Sequence, residues 1–486
     1  MARARRILAT VALAAAGCTL VTEFWTQDEG TPVQSFGPPA GYQRSGFGTV
    51  VVAVEQDLGA DGGATTLLAV SAGLGSAAES YHWAAGDGLL SDPHLMSFCA
   101  PLRDPVDDVD PETWGTCEDA GTGAALLWVP SFRFPGDPAA CEGVLLIGQP
   151  LAAEFDAGRV AVLCPETHRT VGLERGASGS AHFGRSLALV PAAGGPFLAI
   201  GAAGAVWVVD GPLAPSPTYT ATAVAGVNTD SFGLTLAGGA TADDRGYLAV
   251  GASTVGQADT RPSRLVLLRT DPSSADPGMF RAAGCIEDAP QSPLGSALLA
   301  HDFDGDGNGE LVYRTGVPDV QIADGAAIEA LAGLGGDPTP CTFDAPAGPP
   351  LACPTSGEFG VECSGDFGAA LAAGDLNLDG RDELLVGDPG AKVGGVERAG
   401  AVHVFENDGT GWERTGALFD ASPESGARMG TSIAVAPIRG RPEPFVGSAG
   451  SGEVFVFYCS GLAGDKPREP DPLSPGHRLD DRCLAQ

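Results

Sequence analysis

The chain has 486 residues, more than one conventional hydrophobic core organises, so it holds either several domains or one architecture that repeats a small unit. Hydrophobic residues make up 44%, which excludes a chain disordered throughout, and 71 Gly with 38 Pro favour short strands and tight turns over long helices. The net charge of −34 repels nucleic acid and anionic lipid, so neither is an expected partner, and it leaves many carboxylates to meet cations.

The chain opens with Arg3, Arg5 and Arg6, an apolar run from Ile7 to Ala16, and then Gly17-Cys18. Residues 1–17 read as a secretory signal, because the apolar run is too short to cross a bilayer as a stable helix. Ala15-Ala16-Gly17-Cys18 resembles the lipobox of bacterial lipoproteins, with Ala15 where that family usually has Leu. The resemblance implies that Cys18 becomes the new N-terminus and carries the acyl chains, two or more of which anchor a protein stably. Thr19 rather than Asp follows, so the family's inner-membrane retention signal is absent and a lipid-anchored place at the outer membrane or cell surface is expected. The alternative is an ordinary signal cut near Ala16, which releases a secreted or periplasmic protein. On the lipoprotein reading residues 18–41 are a lipidated N-terminus and tether that could supply a ring-closing strand.

With Cys18 set aside, ten cysteines remain, an even number that reads as a disulfide set in an oxidising compartment. Pairing of neighbours is expected (99–117, 141–164, 285–341, 353–363 and 459–483), since each bridge would close a local insertion. No CxxC spacing occurs, which argues against structural zinc.

One short unit recurs along the chain: a residue plus Gly, an apolar strand, a loop, a second strand ending near Gly, and a third strand. The first copy starts at Gly46-Phe47-Gly48 with Thr66–Val70 as its second strand, and a degenerate second copy spans Gly121–Pro150 around Val144–Gly148. Phe183-Gly184 leads to Phe197–Gly201 and Ala205–Val209, and Phe232-Gly233 to Tyr247–Gly251 and Arg264–Leu268. Leu294-Gly295 leads to Glu310–Tyr313, Phe367-Gly368 to Glu383–Gly387 and Gly400–Phe405, and Met429-Gly430 to Pro444–Gly447 and Glu453–Phe457. Alternating apolar positions in the third strands suit half-buried strands.

This pattern resembles the FG-GAP repeat of integrin α-subunit propellers over roughly Gly46 to Cys459. Phe-Gly is intact in four copies, and the Gly-Ala-Pro element survives only as Gly387-Asp388-Pro389 and Gly148-Gln149-Pro150. The resemblance implies an all-β, seven-bladed β-propeller over residues 42–459, in which the aromatic packs between blades and Gly permits close backbone approach. It also implies that a segment before the first copy pairs with the last blade and closes the ring. Val21–Trp25 and the tail stretch His477–Leu484 are the two candidates, and the tail 460–486 is held near Cys459 through Cys483. The stretches Gly73–Thr116 and Gly325–Cys363 read as insertions on one face and as a natural recognition surface.

Two loops carry chemistry. Asp302-Phe303-Asp304-Gly305-Asp306-Gly307-Asn308-Gly309-Glu310 in the fifth copy matches Asp375-Leu376-Asn377-Leu378-Asp379-Gly380-Arg381-Asp382-Glu383 in the sixth. Oxygen side chains at positions 1, 3, 5 and 9, with Gly at 6, suit a hard cation in a sharply turned loop, and position 7 (Asn308, Arg381) would offer its backbone carbonyl. An EF-hand needs a bidentate Glu at position 12, where these loops have Tyr313 and Val386, so a β-hairpin Ca²⁺ site of the integrin-like kind is expected.

The seven His are scattered, and no His-Glu-x-x-His, GxSxG or Walker loop occurs. The expected function is a monomeric, non-enzymatic binding or adhesion module for a protein or glycan, as FG-GAP resemblance implies. The alternative is a polysaccharide lyase or hydrolase with its site in the propeller funnel.

Overall fold

A computed structural model describes residues 33–36, 47–57, 64–71, 78–85, 90–98, 123–133, 140–151, 158–164, 169–174, 182–192, 195–209, 219–222, 231–242, 245–255, 261–270, 280–331, 348–353, 358–438 and 441–457. Among the described residues nearly all regular structure is β, and the one α-helix is Gly325–Ala330. The strands form seven four-stranded antiparallel sheets and one two-stranded ribbon, Val361–Glu362 with Lys392–Val393.

The seven sheets follow chain order, and each starts beside one of the repeat heads. Their leading strands are Val50–Asp57, Leu126–Arg133, Ser186–Val190, Thr235–Gly239, Leu298–His301, Ala370–Gly374 and Met429–Ile438. Each leading strand touches the next, and the last touches the first. The second strands Phe197–Ala202, Tyr247–Ala252 and Glu383–Asp388 are buried throughout, whereas the leading strand Ser186–Val190 alternates between buried and half-buried. An unbroken apolar run marks a strand covered on both faces, and alternation marks one covered on a single face.

The core lies between the sheets. Phe47 packs with Val51 and Leu68 of the first sheet and with Phe445 and Val456 of the seventh. Phe183 joins the second sheet to the third, Phe232 the third to the fourth, and Phe367 the fifth to the sixth. Leu294 and Met429, which replace the aromatic, are equally buried and fill the same places between sheets four and five and sheets six and seven. Burying each such side chain contributes about 1.5–3 kcal/mol, so the head position needs apolar bulk more than it needs an aromatic ring.

Backbone contact repeats with the same period. A Cβ on Gly201, in the third sheet's second strand, would fall 2.2 Å from the carbonyl oxygen of Gly233, the head glycine of the fourth. The same approach joins Gly148 to Gly184, Gly251 to Gly295 and Gly387 to Gly430. Ser186, Thr235 and Ser432 send their hydroxyls to the head-glycine carbonyl of the next sheet, at 2.7, 2.5 and 2.7 Å. These hydroxyls stand two residues after the head Gly in three copies, a signal in the sequence that the apolar pattern hides.

Three expectations need correction. Each unit has four strands where the repeat suggests three: the sixth sheet ends in Trp412–Leu418, whose first residues are exposed or half-buried and so carry no apolar run. Gly73–Thr116 is not simply an insertion, because it supplies Ala78–Ala85 and Leu90–Phe98, the third and fourth strands of the first sheet. Likewise Gly325–Cys363 contains the helix and Leu351–Ala352, the outer strand of the fifth sheet. In the seventh sheet the fourth place is taken by Val33–Phe36, which pairs antiparallel with Val454–Phe457. Val21–Trp25 and His477–Leu484 lie outside the described residues.

The disulfides Cys141–Cys164 and Cys353–Cys363 form as expected, and Cys285 is also disulfide-bonded. The pairs 99–117 and 459–483, Cys341 and Cys18 fall outside the described residues. Cys353–Cys363 ties the exit of the fifth sheet to the approach of the sixth, where Ser364 donates its amide to Asp388 at 2.8 Å.

Candidate metal centre

The two acidic loops connect the first and second strands of the fifth and sixth sheets. Glu310 faces His301 at the base of one hairpin, and Glu383 faces Gly374 at the base of the other. Each loop is wound by its own side chains on one plan. Position 1 accepts from the amide of position 6 (Asp302 from Gly307, Asp375 from Gly380, both 3.0 Å). Position 3 accepts from position 5, at 3.1 Å for Asp304 and 2.9 Å for Asn377. Position 5 accepts from position 7, at 2.7 Å for Asp306 and 2.9 Å for Asp379. The Glu at position 9 reaches back to the amide of position 2, Glu310 to Phe303 at 2.8 Å and Glu383 to Leu376 at 2.6 Å. Short polar side chains that bond nearby amides are what bend a chain this tightly.

Position 4 takes positive φ in both loops, 74° at Gly305 and 61° at Leu378. Leu378 is 40% exposed, so it holds a strained backbone with little packing in return. The apolar residue at position 2 plugs each loop onto its sheet, with Phe303 and Leu376 both buried.

Ligand-capable oxygens of Asp302, Asp304 and Asp306 lie within 4.8 Å of one another, as do those of Asp375, Asp379 and Glu383. Asn377 Oδ1 accepts from the Asp379 amide beside that group, and its Nδ2 donates to Glu406. The side chains at position 7 are engaged elsewhere: Asn308 Oδ1 accepts from the amide of Ala242, in the hairpin loop of the fourth sheet, while its Nδ2 donates to Asp306 at 3.3 Å, and Arg381 donates to the Asn407 carbonyl. That leaves position 7 only its backbone to offer. Tyr313 and Val386, at position 12, are buried in strands, so neither loop closes as an EF-hand.

The electrostatics fit a cation. Burial pushes Glu383 up to about 9, with the charges of Glu406, Asp375 and Asp379 adding to it against the Leu376 amide. Burial likewise raises Glu310 to about 7, helped by Asp304 and opposed by amides that include Phe303 and Gly325. Asp375 is raised by burial as well. Two carboxylates ~4 Å apart repel by roughly 1 kcal/mol in water and ~4 kcal/mol at an effective dielectric of 20. A donor set made of oxygen alone, with its charges uncompensated, suits a hard divalent ion and fits Ca²⁺ better than a transition metal.

Among other polar groups, Asp388 and His403 are fully buried, with Nε2 of His403 3.7 Å from the carboxylate. Ser364 bonds Asp388 rather than the His, so the trio does not form a Ser-His-Asp relay.

Comparison with known proteins agrees with this geometry. The FG-GAP repeat family matches residues 367–405, which run from the sixth head through its acidic loop into the third strand. Human integrin alpha-7 is 37% identical over 109 residues, covering 21% of this chain and 9% of that protein. Integrin alpha-3 of Cricetulus griseus is 35% identical over 126 residues, covering 25% of this chain and 12% of its own length. The chain thus carries FG-GAP sequence and is integrin-α-like over about a quarter of its length, and it spans about a tenth of these relatives.

Proposed function

We propose that this chain is a seven-bladed FG-GAP β-propeller that binds calcium in two blade loops and serves at the cell surface as a non-enzymatic scaffold for binding or adhesion. The observation that carries the reading is the pair of loops wound on one hydrogen-bond plan around converging carboxylates. The cyclic contact of the leading strands supports the blade count, since a ring covers every sheet face and leaves few free edges. In the first loop Asp302, Asp304, Asp306 and Glu310 would hold the ion with the Asn308 carbonyl, and in the second Asp375, Asn377, Asp379 and Glu383 with the Arg381 carbonyl. Calcium would neutralise the crowded carboxylates and make the hairpins rigid. Affinity on the order of 10⁻⁴–10⁻³ M is expected for an extracellular module.

The ligand belongs to the protein or glycan class, by likeness to the integrin α-chains, which are matched over a small part of their length. Anchoring through Cys18 at a bacterial outer membrane is part of the same proposal. A Cys18→Ser protein recovered from membranes as fully as the parent would remove the anchor. Function is tested by capture of surface glycans and envelope proteins with and without calcium, beside a polysaccharide-degradation assay. Calcium-dependent capture without turnover supports the scaffold, and turnover lost on a single polar substitution overturns it.

A further inference from the structure

The two cation loops belong to neighbouring sheets, and one side chain joins them. His301 stands at the base of the first loop, opposite Glu310, and its Nε2 lies 2.5 Å from Oδ2 of Asp382. Asp382 immediately precedes Glu383, the closing residue of the second loop. The contact is half-buried, with the two side chains 31% and 32% exposed. A second contact runs beside it. The His301 ring meets Phe303 edge-on at 4.8 Å, and Phe303 meets Trp412 of the sixth sheet at 5.0 Å. The first loop therefore leans on the second loop and its sheet through positions on either side of Asp302.

The bridge has no counterpart in the other direction. Where the second loop has Asp382, the first has Gly309, which donates its amide to the Ala240 carbonyl of the fourth sheet. Where the first loop has His301, the second has Gly374, which has no side chain to send on. The His-Asp contact is thus a device of this one boundary and not part of the repeated unit.

We infer that His301 is a positioning residue that couples the two cation loops, so that filling one tightens the other. The inference rests on the calcium reading above. An ion that draws in Asp302 and Glu310 fixes the hairpin base, and with it the His301 ring and Phe303, whose amide Glu310 holds. The ring then keeps Asp382 in place, and the peptide between Asp382 and Glu383 loses freedom before the second ion arrives. Ordering paid in advance raises affinity at the second loop, and by linkage the effect runs equally in reverse.

Calcium titration calorimetry on the full chain tests it. Silencing the first loop with Asp304→Asn and Asp306→Asn should weaken the second loop by ~5-fold, the low end of ordinary coupling. In a His301→Ala background the same silencing should leave the second loop unchanged. In a His301→Gln background, where the amide Nε2 still donates to Asp382, the coupling should persist. Asp382→Ala removes the acceptor and should abolish the coupling as His301→Ala does, and melting each variant in chelator checks its folding. A second loop indifferent to the first with His301 present overturns the inference, as does coupling that survives His301→Ala. No calcium uptake by the unsubstituted chain instead overturns the reading on which it rests.

Discussion

Gly447 in the seventh sheet lies against the carbonyl of Gly48 in the first, so closely that a Cβ on Gly447 would fall 2.0 Å from that oxygen. Ser432 Oγ bonds the same oxygen at 2.7 Å. The contact repeats, between the two ends of the described chain, the one that joins Gly201 to Gly233. An L side chain at Gly447 must push the Gly48 backbone as well as the Ser432 hydroxyl, which a Cβ would meet at 2.3 Å. Gly447→Ala is expected to cost ~1–3 kcal/mol, as overpacking does. Gly411→Ala, where a Cβ meets nothing within 4 Å, should stay within about 0.5 kcal/mol. Denaturant midpoints of the two variants decide this, and equal midpoints would show that the inter-sheet contact has slack.

The seventh sheet is completed by Val33–Phe36, which pairs with Val454–Phe457. Without it the strand Glu453–Phe457 becomes an open edge with unpaired backbone groups. A chain begun at residue 42 should melt below one begun at residue 28 and aggregate more readily. Coincident melting curves would mean that this strand contributes nothing to the stability of the seventh sheet.

The repeat heads and the buried second strands were legible in the sequence because both are short apolar runs beside Gly, and burial on two faces demands that composition. The two acidic loops were legible because short oxygen side chains recur there at fixed spacing, and that spacing is what winds both on one hydrogen-bond plan. The outer strands were not. Trp412–Leu418 begins with exposed and half-buried residues, so its polarity matches that of a loop. Val33–Phe36 is four residues long and is defined by its partner rather than by its own pattern. The His301–Asp382 bridge was hidden for another reason: its partners stand 81 residues apart and meet only once the sheets are side by side.

Glu383 should reverse its effect with calcium. Burial raises it to about 9, whereas in the unfolded chain it sits near the ordinary 4.5. The folded, calcium-free protein therefore holds a proton that the unfolded chain has released, and stability falls as pH rises between about 4.5 and 9. In chelator, the melting temperature of the parent should decline across that window, and Glu383→Gln should flatten the decline. In saturating calcium the same substitution removes a ligand and should lower the melting temperature. Thermal melts at pH 6 and pH 8.5, with and without calcium, read both arms, and one sign under all conditions would sink the assignment of Glu383 to the ion.

His403 predicts the opposite slope on the acid side. It is fully buried between Val386 and Ala417 in the sixth sheet and edge-on to Phe367 at 5.3 Å, and among the described residues neither ring nitrogen has a hydrogen-bond partner. Burial lowers its pKa from 6.5, with the Arg414 charge adding to the shift and Asp388 opposing it. The folded state then resists a proton that the unfolded chain accepts, so stability is lost as pH falls below about 6.5. His403→Leu should make the decline between pH 6.5 and pH 5 shallower when both proteins are held in calcium. Packing changes from the substitution shift the whole curve without altering its slope, so the slope is the quantity to compare. Identical acid limbs would mean that His403 accepts its proton inside the fold, with Asp388 outweighing the burial.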